Sequence, residues 1–370
     1  MWTNPAVQKT LSLLLLIGIG VLLRSKIKNK ESLAGVKVLI LSVALPATIF
    51  VALLKIEIES HLLFLPLLAL GFNLVMLLVT YQILPLIGLD KSSPTAKTLM
   101  MLLPSLAPGL SCFPFLIEYL GDESLALAAL ADVGNKVFVL ILLYLLAMHW
   151  YYQKATNKVS SNGKLKDLLL SLAKEPVNLM IISALVLLGL GLNLKTLPDF
   201  LQSTALRSSA MMTPLVLMFI GMAVKIKWEQ LKLIFSLLAF RSGFALLLSA
   251  IFVSLVPPMA PAIVLLAVVF PQSACSFWPY AHMAAIELME NKDEQSKSKT
   301  FDNEFALAIL ACSLPFSIIL ILIVCSVGSV FTKPYVLFLC AGIMILIAIL
   351  PQLLGTFNLK LKTVASREEA

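Results

Sequence analysis

The sequence predicts an all-α, polytopic membrane protein. Of its 370 residues, 60% are apolar and only 13% are charged, and the mean hydropathy is +0.98. A soluble globular chain is nearer half apolar and a quarter charged. The apolar runs are long and continuous, as membrane-spanning helices require, and they lack the alternation of barrel strands. These observations exclude a soluble enzyme, a disordered chain and a disulfide scaffold.

Eleven apolar runs predict eleven membrane spans, numbered here in chain order. They cover residues 6–23, 36–54, 62–88, 98–120, 124–151, 177–194, 208–224, 231–256, 261–286, 305–328 and 334–354. The basic cluster at span 1 follows the apolar run instead of preceding it, so span 1 is expected to be retained and not cleaved as a signal peptide.

Basic residues are distributed unevenly between the two sets of alternate loops. One set, with the C-terminal tail, holds 21 of the 28 Lys and Arg residues, the other holds five, and Lys136 and Arg241 lie within spans. Cytoplasmic loops carry such an excess. We therefore expect an outside N-terminus and a cytoplasmic C-terminus in a cell membrane, such as a bacterial inner membrane. The same rule explains the net charge of +8 without a nucleic-acid partner.

The two halves of the chain match at a nearly constant offset. Gly18 in span 1 lies 171 residues before Gly189 in span 6, and Pro114 in span 4 lies 165 residues before Pro279 in span 9. Each half has five spans, an odd number, so the second half must enter the membrane inverted, as in many secondary transporters. The predicted units are a first repeat, a cytoplasmic linker, a second repeat, and an extra helix with a tail. These are residues 1–152, 153–175, 176–330 and 331–370.

Spans 4 and 9, the fourth of each half, each contain several prolines. Proline removes a backbone donor and clashes with the preceding turn, so we expect both helices to be interrupted where they cross. A lone transmembrane proline is usually only a kink, but symmetric breaks expose helix-dipole ends that bind substrates or ions. Polar side chains cluster at the breaks and are the predicted substrate-binding residues: Ser105, Ser111, Gln272, Ser273 and Ser276.

Three charged residues are predicted near the membrane midplane, where charge is costly. Asp132 and Lys136 have i,i+4 spacing and are expected to pair, either as a purely structural bridge or as the group that couples transport to an ion. Asn135 is expected to line the same cavity. Arg241 is expected either to bind a substrate carboxylate or to lock a neighbouring Asp.

Other polar residues have simpler interpretations. His282, after the span 9 break, is either a packed neutral side chain or a group that titrates near neutrality. Asp302, Asn303 and Glu304 are typical of a capped helix start at the mouth of span 10. Charged residues deep in spans occur only in spans 3–5 and 8–10, which indicates a polar moving block beside an apolar scaffold of spans 1, 2, 6 and 7.

The sequence shows no nucleotide motif, metal-ligand cluster or nucleophile–base pair, so we predict neither an enzyme nor a cofactor or metal site. The five Cys residues are expected to be small buried apolar side chains.

Several motifs occur in a fixed order along residues 5–328. They are LPATIFVALLKIEI at 45–58, PGLSCFPFLIEYLG at 108–121, TPLVLMFIGMAVKIK at 213–227 and FPQSACSFWPY at 270–280. In this order the chain resembles the auxin efflux carrier family, of the bile acid/arsenite/riboflavin transporter superfamily. The resemblance implies two inverted five-helix repeats, crossing fourth and ninth helices, and transport of organic anions by proteins that are often dimers.

The chain departs from the family pattern at the fourth helix. Many members have an Asn where this chain has Pro108 and a Gly where it has Phe113. Span 11 is also additional. These departures leave the substrate open.

We therefore predict a secondary active permease or efflux carrier for a small organic anion, working by an elevator mechanism and coupled to H⁺ or Na⁺, with a homodimer as a possible assembly. Two alternatives stay open. One is a sodium-coupled symporter of the bile acid type, although no motif here matches its sodium ligands. The other is a non-transporting membrane sensor with the same fold, although the loop at 152–175 is short for a signalling domain.

Overall fold

The structure, a computed structural model, describes most of the chain. The described ranges are 5–27, 30–55, 64–154, 176–223, 231–256, 259–290 and 299–353. Nearly all of the predicted linker at 153–175 and the end of the tail lie outside them. Within these ranges the chain forms α-helices, short 3₁₀ and π turns and connecting turns, with no strand.

The α-helices are numbered in chain order. They are α1 Pro5–Leu23, α2 Lys30–Leu39, α3 Leu45–Leu54, α4 Phe64–Ile83, α5 Pro94–Leu102, α6 Pro108–Ser111, α7 Phe113–Val137, α8 Leu143–Lys154, α9 Pro176–Gly189, α10 Asp199–Ala210, α11 Met212–Ala223, α12 Leu231–Leu255, α13 Pro261–Val269, α14 Phe277–Glu290, α15 Asn303–Val327 and α16 Pro334–Leu353. Five-residue π turns at Ile40–Ala44 and Phe138–Leu142 join α2 to α3 and α7 to α8.

Within the described ranges, six helical stretches are long and apolar enough to cross a membrane. They are Phe64–Ile83, Phe113–Gln153, Asp199–Met222, Leu231–Leu255, Pro261–Glu287 and Asn303–Val330, and shorter apolar helices occur at Leu11–Leu23, Ile40–Leu54, Leu179–Gly189 and Pro334–Leu350. Large apolar side chains such as Leu22 and Leu346 are 75% and 59% exposed on the outer surface, as contact with lipid allows. The protein is thus an all-α chain with the helices of a multi-pass membrane protein, whereas the count of eleven spans and the orientation stay predictions.

Two predicted boundaries are wrong. The sequence predicts span 6 to residue 194, but α9 ends at Gly189, and Gly191 turns the chain with a φ of 76°. The sequence predicts the start of span 7 at residue 208, but α10 begins at Asp199. None of the side chains of α10 is buried, so its polar composition resembles that of a loop.

The chain between spans 4 and 5 turns at a single residue. The sequence predicts two separate helices, and within the range of α7 the structure separates two helical segments at Gly121, whose φ of 85° and ψ of −177° are not helical. Such a φ is strained for any residue with a Cβ, so a glycine is required there. The second half of span 4 and the start of span 5 are therefore two helical segments that meet at Gly121.

Several helices pack against helices that are distant in the sequence. α1 packs on α11, α3 packs on α9 and α10, α4 packs on α7, and α12 packs on α16. At the first contact the backbones touch, since a Cβ on Gly20 would lie 2.1 Å from the carbonyl oxygen of Met218. Along the last contact, Ser236 Oγ donates to the carbonyl of Ala348 at 2.5 Å. The additional helix α16 therefore lies directly against the helix that carries Arg241.

We expect Gly134→Ala to destabilise the protein by about 1–3 kcal/mol, because it forces α4 and α7 apart. A Cβ at Gly134 would lie 1.8 Å from the carbonyl oxygen of Pro66. The matched control is Gly71→Ala on α4, where a Cβ meets nothing within 4 Å. The apparent Tm in detergent should fall for Gly134→Ala and hold or rise for Gly71→Ala; equal values for the two variants would contradict this packing.

Candidate functional site

Two non-helical segments, residues 103–107 and 273–276, interrupt the helices in the middle of spans 4 and 9. α5 ends just before the first segment, and the 3₁₀ turn Phe270–Gln272 ends just before the second. The segments touch, since the N–H of Ala107 donates to the carbonyl of Ala274 at 2.8 Å. Two helix C-termini, each carrying partial negative charge on its last carbonyls, therefore meet at this crossing.

Serine side chains from span 4 satisfy backbone donors of span 9. Ser111 Oγ accepts from the N–H of Ala274 at 2.9 Å, and Ser105 Oγ accepts from the N–H of Ser276 at 3.0 Å. These donors are released from helical bonding by the interruption, and a buried N–H without a partner is costly. The two serines therefore hold the two segments in register. They do so with the same side-chain oxygens that the sequence predicts will bind the substrate.

Arg241 of α12 joins both segments from the side. Its Nε donates to the carbonyl of Leu103 at 2.8 Å, and its Nη2 donates to the carbonyls of Ser105 at 3.1 Å and Ser273 at 2.8 Å. The guanidinium is 2% exposed, so its charge is balanced by the negative ends of the two helices. The sequence predicts an Asp or a substrate carboxylate as partner, and the structure instead places three carbonyl oxygens there.

Gln272 and Ser273 complete the crossing. Gln272 Nε2 donates to the carbonyl of Ser242 at 3.2 Å, while its Oε1 is buried without a hydrogen-bond partner. Ser273 Oγ donates to the carbonyl of Phe270 at 2.6 Å. The five predicted substrate-binding side chains are each at most 3% exposed, so the crossing is closed to solvent in this arrangement.

Asn135 of α7 binds the same crossing from the other side. Its Oδ1 accepts from the N–H of Leu106 at 3.2 Å, and its Nδ2 donates to the carbonyl of Leu106 at 3.0 Å. The Asn135 side chain thus bonds both the N–H and the C=O of one residue, as an opposite residue does in an antiparallel β-ladder. Asn73 Nδ2 of α4 donates to Asn135 Oδ1 at 3.0 Å.

The buried carboxylate of Asp132 is linked to the crossing through Asn135. Asn135 Nδ2 donates to Asp132 Oδ1 at 2.8 Å, and Lys136 Nζ lies 3.7 Å from Asp132 Oδ2. Both side chains of this ion pair are 8% exposed. The structure thus brings together Asp132, Asn135 and Lys136, as the helical spacing predicts, and connects them to the backbone of span 4.

Three residues of this network are absent from the sequence prediction. Asn73 and Ser242 make the contacts given above, and Ser313 Oγ of α15 accepts from the N–H of Cys275 at 3.3 Å. Asn73 and Ser313 are single uncharged polar residues in apolar runs, and Ser242 directly follows Arg241. That signal is present in the sequence, but it is weak because Ser within membrane helices commonly bonds its own backbone.

His282 is packed away from solvent. It is 8% exposed, its Nε2 lies 3.0 Å from the carbonyl oxygen of Val139, and its ring meets the ring of Tyr144 edge-on. These contacts match the packed alternative of the two interpretations.

The start of α15 is capped as the sequence predicts. Asp302 Oδ1 accepts from the N–H of Phe305 at 3.0 Å, and the N–H of Asp302 donates to Thr98 Oγ1 at 2.9 Å. Nearby, Glu287 accepts from the Lys299 ammonium at 2.9 Å and raises the pKa of Lys299 above its ordinary value. This polar layer ties α5, α14 and α15 together at one end of the molecule.

Among the described residues, two large cavities lie outside the crossing, and the first of them borders it. One, of about 460 Å³, is an apolar groove between α4, α7, α12 and α13 that reaches Pro271. The other, of about 900 Å³, lies between α3, α9 and α10 and is lined by Lys55 and Lys195. At its edge Lys55 Nζ forms a half-exposed ion pair with Asp122 Oδ2 at 2.7 Å, which joins α3 to α7.

Comparison with known proteins adds no assignment. No protein-family model matches the chain, and no curated protein matches it. In the described part of the chain, no three His, Cys, Asp or Glu side chains are grouped so as to hold a metal ion.

Proposed function

We propose that the protein is a secondary active transporter for a small organic anion, of the auxin efflux carrier type. The observation that carries the proposal is the crossing of two interrupted helices, whose backbones bond each other and Arg241. Asn135 links this crossing to the Asp132–Lys136 pair. Interrupted helices and buried ion pairs cost free energy in a membrane protein and are found at substrate and ion pathways.

The proposed architecture is the one that the sequence predicts: eleven spans, an outside N-terminus and two inverted five-helix repeats. The scaffold comprises α1–α3 and α9–α11, and the moving block comprises α4–α8 and α12–α15. The packing of α1 on α11 and of α3 on α9 and α10 supports this division. We place α16 in the moving block, because its main contact is with α12.

An elevator mechanism accounts for the closed crossing. The polar side chains at the crossing are buried, so substrate would reach them only after the moving block shifts against the scaffold. α7 and α14 begin beside the crossing, and their N-terminal ends carry partial positive charge that favours an anion. The Lys55–Asp122 pair joins the two proposed bodies and would break during that shift.

Flux in proteoliposomes tests the proposal. The purified chain is reconstituted in vesicles loaded with an unlabelled organic anion, and uptake of labelled mono- and dicarboxylates is measured under imposed H⁺ and Na⁺ gradients. We expect saturable counterflow of at least one anion. If no carboxylate of the panel exchanges while the panel binds to the protein, the sensor alternative holds. Stimulation by Na⁺ alone favours the symporter alternative.

We expect Gln272→Ala to raise the KM for the exchanged anion by roughly 5- to 150-fold, equivalent to about 1–3 kcal/mol, the range for leaving a buried partner unpaired. The Oε1 of Gln272 is a polar atom at the crossing that accepts no hydrogen bond from the described residues. The control is Gln82→Ala, at an exposed position of α4. An unchanged KM in a Gln272→Ala protein of normal Tm would remove Gln272 from the substrate site.

A further inference from the structure

The cavity of about 900 Å³ between α3, α9 and α10 has the chemistry of an amphiphile site and shares no lining residue with the crossing. Its wall consists of leucines and glycines, and its polar lining consists of Lys55, Asn193, Lys195 and Gln202. No Asp or Glu of the described ranges lines it. The cavity is therefore apolar along its wall and positively charged where polar groups occur.

The two lysines lie beyond the C-terminal ends of α3 and α9, two helices that pack on each other. Lys55 follows the last residue of α3, and Lys195 lies in the 3₁₀ turn after α9, which begins at Leu194. Both lysines line this one cavity, whose other lining residues are mainly leucine and glycine, so the cavity presents two ammonium groups beside an apolar wall. A helix end in a membrane protein lies near the headgroup layer, where lysine meets phosphate.

The size and surroundings of the cavity select a lipid over a simple anion. Ligand sites for drug-sized molecules measure about 300–1,000 Å³, and a single phosphate needs far less. Beside the cavity, α10 buries none of its side chains, and Phe200 on it is 69% exposed, so this side of the cavity lies at the surface of the chain. Lys55 already holds Asp122, so Lys195 supplies the additional positive charge.

We propose that this cavity binds an anionic phospholipid, with its phosphate at Lys55 and Lys195 and an acyl chain along the leucine wall. Occupancy would add contacts to those that α3 already makes with α9 and α10. Phosphatidylglycerol is the probe, because it carries one negative charge on an otherwise ordinary phospholipid.

The experiment is a thermal-shift titration of the purified full chain in detergent with dioleoyl-phosphatidylglycerol, dioleoyl-phosphatidylcholine and glycerol phosphate. We expect a saturable rise in Tm with phosphatidylglycerol alone. Lys195→Gln should weaken its apparent affinity about fivefold, the effect of one lysine at a lipid surface. The control is Arg207→Gln, which removes one exposed positive charge of α10 that does not line the cavity.

A second pair of variants tests the wall. Gly189→Phe places a ring in the cavity, because a Cβ there meets nothing within 4 Å, and should abolish the lipid-dependent rise in Tm. Gly18→Phe, equally open but outside the cavity, should keep it. Equal shifts with phosphatidylcholine would show lipid binding without headgroup recognition, and equal shifts with glycerol phosphate would show a small-anion site. Either result, or an equal loss in Arg207→Gln, overturns the proposal.

Discussion

Arg241→Met is expected to unfold the crossing and lower the free energy of unfolding by roughly 3–5 kcal/mol. The variant leaves three buried carbonyl oxygens without donors, those of Leu103, Ser105 and Ser273. Each unsatisfied buried group costs about 1–3 kcal/mol, and the two helix C-termini lose the charge that balances them. Losses above about 4 kcal/mol are unusual for single substitutions, so the protein should be recovered in low yield with a strongly reduced Tm.

Two further variants isolate the cause of that loss. Arg241→Lys keeps the positive charge beside the helix ends but replaces the planar guanidinium, with its several N–H donors, by one ammonium group. An intermediate Tm is therefore expected. Arg207→Met removes an exposed arginine and should change stability by no more than about 0.5 kcal/mol. A normal Tm for Arg241→Met would mean that the carbonyls are satisfied by other groups and that Arg241 does not hold the crossing.

The interruptions were predictable because proline acts locally. Pro104, Pro108 and Pro271 each remove a donor whatever surrounds them, so the breaks in spans 4 and 9 follow from the chain itself. Asp132, Asn135 and Lys136 were predictable for a similar reason, since helical spacing alone places them on neighbouring turns.

The partners across the crossing were not predictable in the same way. Arg241 lies 32 residues from Ser273 and 138 from Leu103 in sequence, and a charge in an apolar run predicts a partner without saying which one. Carbonyl oxygens carry no sequence signal, so an Asp was the natural expectation. The start of α10 could not be predicted from the sequence, because its exposed polar residues resemble those of a loop. The helix is recognised only in the structure, where it packs on α3.

The coupling group is expected to be Asp132, whose carboxylate is one hydrogen bond from Asn135 and two from the backbone of Leu106. A change in its charge therefore acts directly on span 4 at the crossing. Asp132→Asn keeps the shape but removes the charge and leaves the Lys136 ammonium buried without its carboxylate. Breaking a buried pair in this way costs about 3–5 kcal/mol, so we expect the single variant to be unstable.

The double variant Asp132→Asn with Lys136→Met separates coupling from stability, because it removes both buried charges. We expect it to recover a near-normal Tm, since neutral replacement of a buried pair is often harmless. It should retain counterflow exchange of the substrate anion while losing gradient-driven accumulation and the dependence of flux on pH or Na⁺. As a control, Asp122→Asn breaks the half-exposed pair with Lys55 and should keep accumulation. If the double variant accumulates substrate as the natural chain does, the Asp132–Lys136 pair is structural and another group carries the coupling ion.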